Sequence, residues 1–522
     1  MQDKKWRWIM LLAIVAMGTN FWGFPVYILD ESKNAACAME MMQRGDWVIP
    51  TFNGQLRTDK PPLHYFFMMA SYAVFGITPF AARFFSVIMG LLTVTTVYFF
   101  TRRMEGERVA FFAGLVMVSS LFMVGEFHLA VPDPYFIFFL TLCWLSFAYG
   151  LESNLSRYFY LSYIAMSLAF MAKGPAALVL SAAILGAFLI LRKGFTWSAI
   201  LSVKPIWGLL ILLLIASPWW IAVAVQTDGE WVKSFLWGHN LGRFLSPYED
   251  HGNVPGIAVL LFLVSLLPLS VLLPGGLYHG WKQRASRPLI LLAILSVLVV
   301  LVFFSISQTL LPNYIIPAVP FGAIVIGFQA DRWLRQPFLS ALWHRLGGLL
   351  VSLVLLATVP ILWLIIQHDR WIGDFPYLSF LFLPCGLGAL AAWWNLRGNN
   401  LERALISWLA GFWLAGVLLF SVGAPCILSG NPVEMSLPLV RESGREVIGY
   451  RFFNPAYVFA LQRPLLTYWT PQDILAYCEG KRVMVLSRED YEAELVGAGF
   501  KVVFREPYLF EGSTALILIN QP

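Results

Sequence analysis

Charge is scarce in this 522-residue chain: only 13% of it is Asp, Glu, Lys or Arg, about half the ~25% of an average soluble protein. Too few polar side chains remain to coat a water-soluble fold of this size. Cysteine is sparse as well. Cys37, Cys143, Cys385, Cys426 and Cys478 show no paired metal-type spacing. Cys426 and Cys478 could pair in an oxidising compartment, and an unpaired state fits the sequence equally. No internal repeat is found, which weakens a transporter built from duplicated halves. The net charge of +6 is scattered through short loops rather than gathered on one face, which argues against nucleic acid as a partner.

What is present is apolar: 59% of the residues are hydrophobic. Read against the ~20 residues that cross a bilayer, the chain offers about thirteen spans. They lie near 8–27, 80–101, 108–126, 134–151, 157–172, 174–192, 206–225, 254–277, 288–304, 312–330, 346–366, 376–394 and 403–423. Trp8 to Leu29, preceded by Lys4, Lys5 and Arg7, is too long for a signal core and lacks a small-residue cleavage site. It is expected to be a retained first span with a cytoplasmic N-terminus. Basic residues agree with this layout. Arg102, Arg103, Arg192, Lys193, Arg335 and Arg397 are among many on the inner side. The outer loops hold only Lys33, Arg44, Arg57, Lys60, Lys173, Lys233, Arg243 and Arg370.

Two stretches leave the membrane. Residues 28–79 form a long first outer loop, with a short helix over Ser32–Arg44 and an aromatic interface-lying segment over Pro61–Gly76. Residues 424–522 have a different rhythm. Strands are expected at Val447–Phe452, Leu465–Trp469, Arg482–Leu486, Val502–Phe504 and Ala515–Ile519, with helices at Asn454–Gln462, Pro471–Tyr477 and Glu489–Val496. The expected architecture is therefore an all-α polytopic membrane protein over 1–423, with a small extracytoplasmic α/β domain over 424–522.

Five groups on the outer face go beyond what insertion requires. Asp30-Glu31 stands at the outer end of the first span. Helix capping explains it as readily as a reactive carboxylate at a desolvated surface. Thr58-Asp59-Lys60-Pro61-Pro62 sets an acid and a base before a stiff turn, where Lys60 could snorkel or hold a lipid phosphate. His128 to Pro134 is a tight turn with Asp133 facing the first loop. Lys173-Gly174-Pro175 puts a lone amine between two apolar runs, where it is costly without an anionic partner. His239-Asn240-Leu241-Gly242-Arg243-Phe244, followed by Tyr248 and His251, brings a guanidinium suited to phosphate. Each group alone is ordinary. Together they gather carboxylates and cations on the one face where basic residues are otherwise depleted.

These residues resemble a family. Asp30-Glu31, Gly45-Asp46-Trp47, Asn53-Gly54, Asp59-Lys60-Pro61-Pro62-Leu63, Arg83, the Pro-Asp-Pro turn at 132–134, Lys173-Gly174-Pro175, His239 to Phe244 and Leu311-Pro312-Asn313-Tyr314 with Pro317 occur in the order seen in membrane glycosyltransferases of the GT-C type. The branch is that of lipid A aminoarabinose transferases and protein mannosyltransferases. The resemblance spans roughly residues 1–330. It implies a polyprenyl-phosphate sugar donor, inversion at the anomeric carbon, a lipid A-like or other envelope acceptor, and a bacterial inner membrane with the outer loops in the periplasm. By resemblance Asp30 is the principal catalytic carboxylate, with Asp133 a second acid and Glu31 beside them. Lys60, Lys173 and Arg243 hold the donor phosphate, Tyr314 lines the site, and Asp59, Arg83 and His239 support it. A divalent metal at Asp59 and His239 is the one cofactor it admits, and Asp59 stands where many relatives carry the longer Glu.

If the acceptor is a hydroxyl, Asp30 serves as general base, worth ~10²–10⁴-fold; if it is a phosphate, Asp30 orients it or stabilises oxocarbenium charge. The rival reading, a transporter or flippase of a lipid-linked or anionic substrate, calls for ionisable groups near the bilayer midplane. Here they cluster at span ends and in loops.

Overall fold

The computed structural model describes residues 4–242, 254, 256–335 and 341–520, the side chains of 341–347 excepted. Among them, nine helices are long and apolar enough to cross a membrane, or eleven if each of two bent pairs counts as one crossing. Two of the expected spans fall short of that measure. The first, α1 (Lys4–Gly18), has 15 residues rather than reaching residue 27. Beyond it Asn20 takes a positive φ of 52°, and the carbonyls of Phe21, Phe24 and Pro25 turn to the guanidinium of Arg83. The other is α8 (Ser156–Lys173), which is helical throughout but diluted by Ser, Tyr, Arg and Lys.

Between them lie α2 (Leu29–Arg44), α3 (Leu63–Phe75), α4 (Pro79–Glu105), α5 (Glu107–Ser119), α6 (Leu121–Glu126) and α7 (Asp133–Ser153). The helix α9 (Ala176–Lys193) follows α8. α5 and α6 form one of the bent pairs, turned by 68°. Ser120 makes the corner: its hydroxyl accepts from the Met123 amide at 3.2 Å and donates to the Ser265 carbonyl at 2.6 Å. Ser120 thereby satisfies one backbone donor at the start of α6.

Burial sorts the helices. The apolar window of α7 is 89% buried inside the protein, whereas that of Pro205–Gln226 is only 22% buried. Leu209, Leu210, Leu213 and Leu214 on the latter stand exposed. A mean-apolar helix left uncovered by protein is stable only against lipid. The chain is a polytopic helical membrane protein, with α7 at the centre and Pro205–Gln226 at the rim.

The tail folds as a five-stranded mixed sheet of β3 (Glu446–Tyr450), β4 (Thr467–Tyr468), β5 (Val483–Arg488), β6 (Phe500–Pro507) and β7 (Thr514–Asn520), in the order β4-β3-β5-β7-β6. All five expected strands form, within a few residues of their expected limits. β3 runs parallel to β4 and β5, and β7 antiparallel to β5 and β6. One buried cluster joins this sheet to the first outer loop: Ala35, Met39 and Tyr65 share it with Val447, Leu486 and Ile517. The outer loop is thus clamped between the helices below and the sheet above.

Candidate functional site

The first loop is built by its own polar motifs. α2 ends at Gly45, whose φ of 66° closes the helix in the left-handed region. Asp46 Oδ1 then accepts from the amides of Val48 at 2.8 Å and Ile49 at 3.1 Å, an Asx turn that reverses the chain. Asn53 and Gly54, at φ 52° and 75°, turn a two-residue hairpin between β1 (Thr51–Phe52) and β2 (Gln55–Leu56). Buried Glu40 accepts from the Asn53 amide at 2.6 Å and the Gly54 amide at 3.1 Å. The Asn53 side chain accepts from the Leu465 amide and donates to the Leu465 carbonyl and the Thr467 hydroxyl, which fastens the hairpin to the tail. Gly45-Asp46 and Asn53-Gly54 are therefore scaffold.

Glu31 is scaffold too. It is 1% exposed and takes two hydrogen bonds from Arg83, at 2.6 and 2.8 Å, and one from the Ala130 amide at 2.9 Å. Arg83 is fully buried, its guanidinium also stacked 4.0 Å from the Phe24 ring centroid. The pair locks the start of α2, the flank of α4 and the turn before Asp133 together. The acid expected to act beside Asp30 and Asp133 is instead spent on positioning the segments that carry them.

Asp30, one residue earlier, turns the other way. It makes no capping bond at the start of α2, where the residue before the helix is Ile28, so the capping account of this acid does not hold. Its carboxylate is half-exposed, 3.7 Å from Arg57 Nη2. Removal from bulk water raises its pKa, but the nearby positive charges of Lys60, Arg57 and Lys173 outweigh that and hold it below its ordinary value. Asp30 is thus an anion across the physiological range.

Arg57, read from the sequence only as one of the outer-loop cations, lies between Asp30 and Asp59. It is buried, donates to the Tyr65 hydroxyl at 3.1 Å and to Asn34 Oδ1 at 3.3 Å, and lies 3.3 Å from Asp59 Oδ2. Asn34 Oδ1 also meets Tyr65 and His64 Nε2, both at 3.2 Å. Burial, then the charges of Arg57 and Lys60, lowers the His64 pKa well below its usual value, so this ring is neutral. The one signal for these neighbours was spacing: Asp30 and Asn34 are four apart on one helix face.

Other segments converge on the same place. The Arg57 carbonyl accepts from Trp231 Nε1 at 2.9 Å, and the hydroxyls of Thr58 and Ser234 meet at 2.7 Å. These bonds bring His239 to Asp59, with Nε2 3.1 Å from Oδ1. Asp133 opens α7 and Lys173 closes α8, and Lys173 Nζ sits 2.5 Å from Asp133 Oδ1. Lys173 also lies 5.0 Å from the ring centroid of Tyr314 and 5.5 Å from that of Phe136. Gly174, at φ 79°, permits the reversal from α8 into α9; a Cβ there would stand 2.5 Å from Phe235.

The result is a cavity of about 380 Å³ whose walls include Asp59, Lys60, Lys173, His239, Tyr314 and the aromatic rings of Phe136 and Phe304. Lys60 forms no ion pair among the described residues, so its ammonium is available to an anion. Arg243, with Phe244, Tyr248 and His251, lies outside the described residues. Asp59 and His239, the pair the resemblance offers to a metal, lie side by side. Asp59 is engaged on both oxygens, by His239 and by the cation Arg57. No group of three or more His, Cys, Asp or Glu side chains converges among the described residues.

A family model described as dolichyl-phosphate-mannose-protein mannosyltransferase matches residues 59–221. An undecaprenyl phosphate-alpha-4-amino-4-deoxy-L-arabinose arabinosyl transferase of Pseudomonas aeruginosa (strain UCBPP-PA14) is 29% identical over 462 residues, covering 86% of this chain and 81% of the relative. Another, from Pseudomonas fluorescens, is 28% identical over 500 residues, covering 90% of this chain and 82% of the relative. In fold, the chain is similar to the crystal structure of ArnT from Cupriavidus metallidurans bound to undecaprenyl phosphate. The TM-score is 0.83 at 20% identity, covering 100% of this chain and 99% of the other.

Proposed function

Starting from a chain that is a membrane glycosyltransferase of the GT-C type, similar to the aminoarabinose transferases, we propose that it moves aminoarabinose or a similar sugar from undecaprenyl phosphate to a lipid A-type or other envelope acceptor. The reaction takes place on the periplasmic face of the bacterial inner membrane. The observation that carries this reading is the cavity walled by Asp59, Lys60, Lys173, His239 and Tyr314, with Asp133 paired to Lys173 and Asp30 held together with Asp59 by Arg57.

The donor phosphate enters between Lys60 and Lys173. In the transfer, the bond from the anomeric carbon to the phosphate oxygen breaks, and its electron pair leaves with the phosphate. The acceptor oxygen forms the new bond from the opposite face, which inverts the centre. Negative charge grows on the departing phosphate, so fixed ammonium groups stabilise the transition state more than the ground state. Asp133 keeps Lys173 charged and in place. Asp30, anionic, takes the proton of a hydroxyl acceptor, or faces the cationic sugar ring when the acceptor is itself a phosphate. Arg57 holds Asp30 and Asp59 in register. Ionisable groups gathered at span ends, rather than along a midplane path, fit chemistry better than transport.

The test is transfer by purified protein, supplied with undecaprenyl-phosphate aminoarabinose and lipid A and followed by mass spectrometry. The expected product is lipid A heavier by one aminoarabinose, lost in Asp30→Asn by about 10²–10⁴-fold. An unmodified acceptor with active-folded wild-type protein overturns the choice of sugar or acceptor.

A further inference from the structure

A second cavity, of about 290 Å³, lies at the far end of α8 from Lys173. α8 runs from Ser156 to Lys173 and α9 returns from Ala176 to Lys193, 18 residues each. At 1.5 Å per residue that is ~27 Å, so the second cavity opens at the opposite membrane face. Its walls include Asn154 and Ser156 at the turn from α7 to α8, Lys193 at the end of α9, and Thr196 and Ser198 just beyond.

The polar groups of this wall are unspent. The side chains of Asn154, Ser156, Lys193 and Ser198 form no hydrogen bond or ion pair among the described residues. Thr196 accepts from the Ala199 amide at 3.2 Å, which leaves its hydroxyl proton to donate elsewhere. No acid stands in the wall among the described residues. Glu152, two residues before Asn154, is taken by Arg192 through bonds of 2.8 and 2.7 Å. One ammonium with several hydroxyl and amide donors matches an anion rich in acceptor oxygens, as a phosphate group is.

The rim decides what carries that phosphate. Phe195 and Trp197 are each 79% exposed and Leu201 is 60% exposed, all on or just before the short helix Trp197–Ser202. Large apolar and aromatic side chains left open beside a lysine belong among lipid headgroups and upper acyl chains. A free phosphate ion would leave them uncovered. A lipid covers them.

We propose that this cavity binds the phosphodiester of an anionic phospholipid from the leaflet opposite Lys60 and Lys173. Lys193 meets its charge, and the side chains of Asn154, Ser156, Thr196 and Ser198 donate to its oxygens. Phe195, Trp197 and Leu201 lie along its acyl chains. A zwitterionic headgroup fits less well, because its ammonium meets Lys193 and finds no unpaired acid in the wall. The site is independent of the sugar and acceptor proposed above.

The experiment is native mass spectrometry of the full-length protein, released from detergent with phosphatidylglycerol or phosphatidylethanolamine added. Wild type is expected to retain phosphatidylglycerol about tenfold better than phosphatidylethanolamine, and Lys193→Ala to lose that preference, the worth of one charge-assisted bond. Lys193→Arg keeps the preference, and the Ser156→Ala/Ser198→Ala double variant weakens retention with the charge intact. Lys193 is exposed, so its replacement leaves the fold undisturbed. Lys60→Ala, at the other face, retains phosphatidylglycerol as wild type does. Equal retention by wild type and Lys193→Ala, or an equal loss in Lys60→Ala, overturns the site. Equal retention of the two lipids overturns the choice of an anionic headgroup. Displacement of phosphatidylglycerol by inorganic phosphate at comparable concentration overturns the lipid and leaves a free-anion site.

Discussion

Arg83 grips Glu31 with two parallel hydrogen bonds of 2.6 and 2.8 Å, both partners fully enclosed. An enclosed ion pair contributes little over an apolar pair of the same shape, but removing one partner strands the other charge, at about 3–5 kcal/mol. Arg83→Met and Glu31→Leu are each expected to lower thermal stability by that amount and to lose activity through misfolding. Asp30→Asn, at a half-exposed site, is expected to leave the melting temperature of the detergent-solubilised protein within error while abolishing transfer. Equal stability in all three variants would mean that Glu31 acts in the chemistry rather than beneath it.

Asp30 sets a second expectation through pH. Its removal from water raises its pKa, and Lys60, Arg57 and Lys173 more than reverse that, so the folded value lies below the ordinary one, ~3.9 for a free Asp. A carboxylate with a depressed pKa keeps its function above the ordinary value and loses it only as pH falls through the lower one. The acid limb of the wild-type rate profile should thus lie below the usual carboxylate range. Arg57→Gln removes one of the three cations and should move that limb to higher pH, whereas Arg57→Lys should move it little. An acid limb that ignores the charge at position 57 would remove Asp30 from the rate-limiting step.

The sequence made this acid visible because a charge at the end of an apolar run is conspicuous, and the same contrast exposed Lys60, Asp133 and Lys173. Strand alternation likewise placed β3 to β7. What stayed hidden was decided by tertiary contact. Arg57 read as one more loop cation until Asp30, Asn34 and Asp59 closed around it. Glu126 was absorbed into an apolar stretch because the 68° bend at Ser120 that breaks the span before it has no periodic signature. Glu31 looked equivalent to Asp30, yet adjacent helix positions point about 100° apart, one to Arg57 and one to Arg83. The first span ends early for a similar reason, since a guanidinium 62 residues from Phe21 captures its carbonyl.

Asp59 yields a prediction about metals. One oxygen is 3.1 Å from His239 and the other 3.3 Å from the cation Arg57, and a divalent ion there would meet a fixed positive charge. Transfer is expected to survive a strong chelator unchanged, and the purified protein to hold far less than one equivalent of zinc or manganese by elemental analysis. Arg57→Ala, which clears the cation, is the variant in which metal binding should rise. Stoichiometric metal in the wild type, removed together with activity, would show that Arg57 swings aside in the working enzyme.

Lys60 and Lys173 both face the cavity, yet their removal should read differently. Lys60 has no ion pair among the described residues, so Lys60→Ala strands no partner and should fold normally. Loss of a charge-assisted bond of about 1.5–3 kcal/mol predicts roughly 10–100-fold weaker binding of undecaprenyl phosphate, with a further fall in kcat because charge builds on the phosphate in the transition state. Lys173→Ala leaves Asp133 enclosed and unpaired, so it should lower thermal stability as well as donor binding. Titration of undecaprenyl phosphate against both variants, alongside their melting curves, separates the two roles. A Lys60→Ala protein that binds the lipid phosphate as tightly as wild type would place the donor elsewhere in the outer face.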